Sequence, residues 1–252
     1  MLYPKIETLY NRDEATHCIP KYVPERSLRR IEFALPNRWL LTEKIDGTNV
    51  RVIFEQHAAF EVHVISQEEP IGMNPKPTVR FAGRTDAAQL PPFLLARLQA
   101  LFPVEKFATF EDDRNPHTLP KSVVLFGEGY GARIQKGGGN YRPDASFRLF
   151  DVVITGMDDR PWWLDWNNVE DIAQKLGIET VPVLSRTARL SDAIEIVEDG
   201  QLYSRVAHSE NDGMVTLAEG IVARTDPLLF DRRGQRLVWR LKVRDFLKET
   251  HP

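Results

Sequence analysis

Apolar and polar residues alternate from Asn49 to Phe54 and again from Glu61 to Ser66, each run close to period two, which predicts a pair of half-buried antiparallel strands. Strand character begins earlier, from Leu40 in the apolar run Trp39–Leu41, and returns at Val123–Phe126, Phe147–Ile154, Gly220–Ala223 and Leu237–Val243. The spacing turns helical at Phe93, Leu94, Leu95, Leu98, Leu101 and Phe102, entered through Pro91-Pro92 and left at Pro103, positions that suit a helix start and a helix stop. A second helix is predicted from about Asp165 to Leu176, with Trp166, Val169, Ile172, Ala173 and Leu176 on one face and Gly177 just past its end. A short third helix follows Ser191. Strands dominate and helices fall irregularly among them, so the expected class is α+β with antiparallel sheets rather than a βαβ repeat. The polar stretches Glu111–Pro120 and Gln135–Pro143 read as surface loops. With no internal repeat and no long linker, one domain over residues 39–252 is the economical reading, with residues 1–38 packed on it or leading into it.

Composition narrows the function classes. At 42% hydrophobic and 27% charged residues, extended disorder is excluded. Thirty-three Lys and Arg against thirty-six Asp and Glu give a net charge of −3, which excludes a nonspecific polycationic coat for nucleic acid but not a local basic groove. Cys18 is the single cysteine, so no intrachain disulfide forms, and no Cys/His cluster is spaced for zinc; a reducing, cytoplasmic setting is expected. The N-terminus lacks a signal-peptide apolar core, and no apolar run nears the roughly 18 residues of a membrane span, so no membrane partner is expected.

Candidate chemistry starts at Lys44-Ile-Asp-Gly47, between the apolar run and the first predicted strand. A lysine beside a tight Asp-Gly turn is held at a fixed place, and as a nucleophile it must lose its proton, which burial and neighbouring cations favour. Alone, the motif reads equally well as a solvated lysine next to a turn. The stretch Lys136-Gly-Gly-Gly-Asn-Tyr-Arg142 admits two readings as well: glycine amides approaching a phosphate, or a plain hairpin connection.

Glu43-Lys-Ile-Asp-Gly-Thr-Asn49 resembles the nucleotidyl-transfer motif of the covalent nucleotidyltransferases, the superfamily of RNA ligases, DNA ligases and mRNA capping enzymes. The companion motifs follow in order. Gly83-Arg-Thr85 resembles the arginine motif after the first hairpin, Phe126-Gly-Glu-Gly-Tyr130 the third motif, Phe147-Arg-Leu-Phe-Asp151 the aromatic motif, Glu219-Gly-Ile-Val-Ala-Arg224 the fourth and Arg240-Leu-Lys242 the fifth. Asn49, where DNA ligases and capping enzymes typically carry Arg, makes the chain similar to RNA ligases of the nick-sealing type. Two departures stand beside this. Arg240 occupies the place of a usual lysine, and the chain ends ten residues after Lys242, which reads as the lack of the C-terminal domain common in these enzymes.

The resemblance implies an α+β nucleotidyltransferase domain of the ATP-grasp-like ligase kind, with antiparallel sheets flanked by helices. It implies that Lys44 attacks the ATP α-phosphate to form lysyl-AMP, with Lys242 and Arg240 neutralising phosphate oxygens. Arg84 would hold ribose or phosphate, Phe150 would stack on adenine, and Glu43, Asn49, Glu128, Glu219 and Lys242 would contact the nucleotide. Asp46, Glu128 and Glu219 would form a carboxylate set for Mg2+ or Mn2+. The implied partner is RNA with 5′-phosphate and 3′-hydroxyl ends, in a nicked duplex, with a partner protein or subunit supplying a clamp. The competing readings are a minimal ATP-dependent DNA ligase, a guanylyltransferase, and a nonenzymatic module that binds nucleic-acid ends. Residue by residue there are blander roles too: Phe150 as core, Glu128 and Glu219 as surface carboxylates, Arg84 in a solvated turn, Trp162-Trp163 as packing, and Arg26-Ser-Leu-Arg-Arg30 as a solvated face.

Overall fold

The computed structural model describes residues 1–20, 26–55, 77–110, 120–156 and 158–246. The strand expected at Glu61–Ser66 and nearly all of the stretch from Glu111 to Pro120 lie outside these residues.

Among the described residues, ten strands form two five-stranded sheets. The first runs in the order β1 (Glu7–Thr8), β10 (Val238–Lys242), β9 (Gly220–Arg224), β2 (Trp39–Lys44), β8 (Val183–Ala188). The second runs β4 (Thr78–Ala82), β3 (Thr48–Glu55), β5 (Ser122–Tyr130), β6 (Ser146–Thr155), β7 (Pro161–Trp163). All pairings are antiparallel except β1 with β10, so the α+β expectation holds.

Alternation in β2, β9 and β10 divides the first sheet into two faces. Trp39, Leu41, Ile221, Ala223, Trp239 and Leu241 point to one side and form a core with Ala193 and Val197. Those two residues come from α3 (Leu190–Glu198), the short third helix. Buried side chains of this size contribute roughly 1.5–3 kcal/mol each, which is what keeps the three strands in register. Leu40, on the other face, joins the larger core shared with β3, β5 and β6. Helix α1 (Pro92–Leu101) and helix α2 (Trp166–Leu176) both pack on β6. The buried residues of α2 are the five read from its spacing, and Gly177 ends it in the left-handed conformation at φ 61°, where a Cβ is disfavoured.

The elements without a sequence expectation are polar, short or both. Strand β8 has mostly half-exposed residues at a sheet edge, β1 is two residues long, and α4 (Arg205–Glu210) has only six. Arg51, alternating onto an expected polar position of β3, is instead 1% exposed. It is fully committed: Nε donates to the Gly83 carbonyl (2.7 Å), Nη1 to the Met1 carbonyl (3.0 Å) and Nη2 to Asp86 (2.7 Å). Among the described residues no helix is long and apolar enough to cross a membrane.

Candidate active site

Strand register assembles the charged centre. Lys44 at the end of β2 and Lys242 at the end of β10 both lie opposite Gly220, the first residue of β9. Residues in register across neighbouring strands share a face, so the two ammonium groups flank the start of β9. Glu219, one residue earlier, closes the gap: one carboxylate oxygen accepts from Lys44 Nζ and the other from Lys242 Nζ. Side-chain exposures of 17%, 11% and 9% for Lys44, Lys242 and Glu219 show three charges largely withdrawn from water. Burial, the largest single influence on Glu219, pushes its carboxyl up, but the two lysines outweigh it and hold the carboxyl below its ordinary value. Burial lowers the pKa of Lys242, with Glu219 opposing.

After Lys44 the chain crosses to the second sheet through Ile45–Gly47, and Asn49 comes opposite Glu128 in β5. Gly47 is required by close approach, since a Cβ there would lie 2.3 Å from the Gly129 carbonyl oxygen and 2.8 Å from Glu128 Cγ. Glu128 is pushed up to about 7, first by burial and then by the carboxylates of Glu219 and Asp46, against the opposing charge of Lys44 and the Gly47 amide. An acid raised in this way binds more protons folded than unfolded. Its contribution to stability is therefore full below its ordinary value of 4.5 and is lost as pH rises through about 7. Glu128→Gln should raise the melting temperature at pH 8 by on the order of a few degrees, and much less at pH 5. A thermal melt series across that range checks this; an equal shift at both ends would place the carboxylate in water.

A cleft of about 350 Å³ opens where the two sheets meet, bordered by Thr42, Lys44, Val222 and Arg240 from the first and by Asn49, Glu128 and Phe150 from the second. Phe150 is 9% exposed, its carbonyl accepts from Arg224 Nη1 at 2.7 Å, and its ring meets Tyr3 edge-on at 5.1 Å. Arg84 is exposed at the cleft, next to the Gly83 carbonyl that Arg51 grips. Burial, ahead of the nearby Arg12 and Arg84, lowers the pKa of Arg240, with Glu219 and Asp245 opposing. Arg240 Nε and Asn49 Oδ1 are buried with no hydrogen-bond partner in the protein. Two orphaned polar groups, a donor and an acceptor, bordering one cleft fit a polar ligand that completes them.

The structure brings Glu43, Lys44, Asn49, Arg84, Glu128, Phe150 and Arg240 to the cleft, with Glu219 and Lys242 tied to Lys44. Several of these carboxylates are engaged within the protein. Strand alternation puts the Glu43 side chain on the other face from Lys44, and its carboxylate accepts from Ser204 Oγ, Arg205 N (2.9 Å) and Val206 N (3.4 Å). It anchors α4, while the residue still borders the cleft. Asp46, Glu128 and Glu219 lie close enough for the first and last to raise the pKa of Glu128. Both Glu219 oxygens accept from lysines, Asp46 and Glu219 border a neighbouring cavity with Tyr141 and Arg244, and among the described residues no ready-made cluster of three acidic, His or Cys ligands is present. In the basic run, Arg26 pairs with Glu198, Arg29 with Glu7 and Arg30 with Asp231. Trp163 packs on Tyr3 and Phe126, while Trp162 is 75% exposed.

The sequence reading assigned no role to Asp151, Arg224, Arg236 or the first residues of the chain. Tyr3 to Ile6 border the cleft, and the Tyr3 hydroxyl donates to Asp151 at 2.8 Å, as does Arg236 at 2.7 Å. The available signal was positional: Asp151 and Arg224 close the quoted motifs.

The profile of a family described as RNA ligase matches residues 37–243. No curated protein matches the chain in sequence. Among solved structures, an RNA ligase from Naegleria gruberi with pyrophosphate is 14% identical, with a TM-score of 0.55 over 98% of this chain and 63% of that one. A variant of that ligase was solved with ATP and Mn. An archaeal ATP-dependent RNA ligase is 17% identical with a TM-score of 0.51, covering 97% of this chain and 49% of its own. A putative ATP-dependent DNA ligase from Aquifex aeolicus is 17% identical with a TM-score of 0.50, covering 95% and 49%. The chain thus spans between about half and two thirds of the length of these structures, 49% to 63%, and the likeness establishes the fold.

Proposed function

Since the chain belongs to the RNA ligase family, we propose that it carries out ATP-dependent RNA ligation through a nucleotide held covalently on Lys44. The observation that carries this reading is the Lys44–Glu219–Lys242 row set beside a cleft with orphaned polar groups and Phe150 on its wall. Lys44 Nζ attacks the α-phosphorus of ATP; the N–P bond forms as the bond to the pyrophosphate oxygen breaks, and the amine's proton passes to solvent. Because Glu219 is held below its ordinary value, it is a poor resting place for that proton. Its part is to hold and aim the amine. Lys242 and Arg240 stand ready to meet charge on the phosphate oxygens as it develops, and Phe150 with Val181 and Val222 offers apolar surface to a flat base.

A divalent cation bound with the nucleotide would neutralise phosphate charge. Mg2+ is usually held by one or two carboxylates with phosphate and water oxygens rather than by an all-protein cage. Glu128, whose carboxylate is penalised by burial and by its acidic neighbours, is the group such a cation would relieve.

Lys44 then yields AMP to the 5′-phosphate of a nucleic acid, and a 3′-hydroxyl displaces AMP to seal the break. We assign the substrate as RNA in a nicked duplex, in a cytoplasmic setting, with clamping from another domain or a partner. A net charge of −3 gives this chain no overall excess of positive charge with which to hold a duplex. The test is sealing of matched nicks that carry ribose or deoxyribose next to the 3′-hydroxyl, since the 2′-hydroxyl is what distinguishes RNA from DNA locally. Sealing should need ribose; equal sealing of all-DNA nicks would make the chain a DNA ligase. Labelling by GTP in place of ATP would mark a guanylyltransferase.

A further inference from the structure

The lysine motif is held from both flanks by parts of the molecule that have no role in the chemistry above. On one side, Glu43 is 1% exposed and bonded to Ser204, Arg205 and Val206 at the start of α4, whose Val206 and Ala207 are buried in the larger core. On the other side, the Asp46 amide donates to Tyr141 Oη at 3.2 Å, and Gln135 Nε2 donates to the Gly47 carbonyl at 3.0 Å. Tyr141 and Gln135 belong to the glycine loop, which is folded on itself by bonds from Gly138 N to Gln135 O (2.9 Å) and Tyr141 N to Gly138 O (3.1 Å). That loop is tied back to α4: Asn211, just past its end, donates through Nδ2 to the carbonyls of Gly139 (3.1 Å) and Asn140 (3.0 Å). Glu210, the last residue of α4, is fixed in turn by Tyr130, Arg142 and Arg148.

The connections close a circuit: Glu43, α4, Asn211, the glycine loop, Tyr141, Asp46, with Lys44 between its two ends. We infer that α4 and the glycine loop are a brace that sets the direction of the Lys44 amine, and that Tyr141 and Asn211 are positioning residues for its attack on phosphorus. This deepens the proposed reaction and rests on it. The glycines then serve compactness rather than phosphate binding. A Cβ on Gly138 would lie 2.0 Å from the Gly131 carbonyl oxygen, so the loop reaches the motif only with glycine there. Burial above all, with the carboxylates of Glu43, Asp46 and Glu219, keeps the Tyr141 phenol protonated and so neutral beside the amide it accepts from.

The test uses the full chain with Tyr141→Phe, which deletes one oxygen, Asn211→Ala, and the pair together. Hydrogen exchange at the Asp46 amide reads the brace without any catalysis, and it should speed up by roughly fivefold or more in each single variant, the loss of about one hydrogen bond. The kcat of covalent labelling by ATP should fall roughly tenfold to a hundredfold, as small misplacements of a nucleophile do, while KM for ATP stays within about twofold. Because both act along one path, the double variant should be little worse than the worse single. Unchanged Asp46 exchange, or a loss of rate carried by KM, or full additivity overturns the brace. The exposed contact offers a variant with little risk to folding: Gln135→Ala should lower kcat in the same sense, and wild-type kcat there also counts against it. If the wild-type chain takes no label at all, the proposed function fails, and the exchange measurement still decides the brace.

Discussion

Lys44→Ala is expected to bring covalent labelling by ATP down to background. A primary amine attacks phosphorus with its lone pair, and alanine has none to offer. Lys44→Arg should be equally inactive although it keeps the positive charge, because a guanidinium stays protonated near neutral pH. The pair of variants thus separates a nucleophile from a mere counter-charge. Some stability is lost with the Lys44–Glu219 pair, but the fold should hold, because Glu219 keeps Lys242 and Trp39 and Leu41 earlier in β2 anchor the strand in the core. Incubation with α-labelled ATP and Mg2+ followed by denaturing electrophoresis reads the outcome. Label persisting on Lys44→Ala would move the nucleophile, most simply to Lys242, the other lysine on Glu219.

Glu219→Gln should reduce the labelling rate by about a hundredfold or more, the scale of removing a preorganised charge stabiliser. Glutamine keeps the shape and loses the charge. Lys44 and Lys242 would then face each other with no carboxylate between them, the amine would lose its aim, and like-charge repulsion would push both side chains outward. The same change should destabilise the fold by on the order of 2 kcal/mol, below the roughly 3–5 kcal/mol of a fully buried pair because both lysines keep some exposure. Single-turnover labelling and a thermal melt measure the two effects separately. A stability loss with the labelling rate intact would leave Glu219 a purely structural anion.

Much of this centre was legible in the sequence because it depends on order and spacing. Lys44 and Lys242 end their strands, Glu219 directly precedes β9 and Glu128 lies within β5, and the apolar runs placed all four of these strands, whereas the half-buried strand expected at Asn49–Phe54 is buried on both faces from Val50 to Phe54. The tie from Glu43 to α4 was not legible: lying next to Lys44 in sequence puts its side chain on the opposite face of a strand, where the partner is Ser204, 161 residues away. Helix α4 itself left no trace, since six residues cannot show a stripe and its stability comes from Glu43, Ser204 and the core beneath it. The bonding of the carboxylate trio was hidden for a related reason. Sequence gives residue types but not which oxygens are already engaged, and Glu219 turned out to bridge two lysines. The role of Tyr3 and of β1 was hidden because a two-residue strand pairing parallel with β10 has no local pattern at all.

The most direct test of the central claim is mass mapping of the wild-type chain after reaction with ATP and Mg2+. The account predicts AMP joined through an acid-labile bond to the peptide containing Lys44, with one pyrophosphate released for each AMP bound. AMP mapped to any other residue, or pyrophosphate released with no adduct on Lys44, would contradict it.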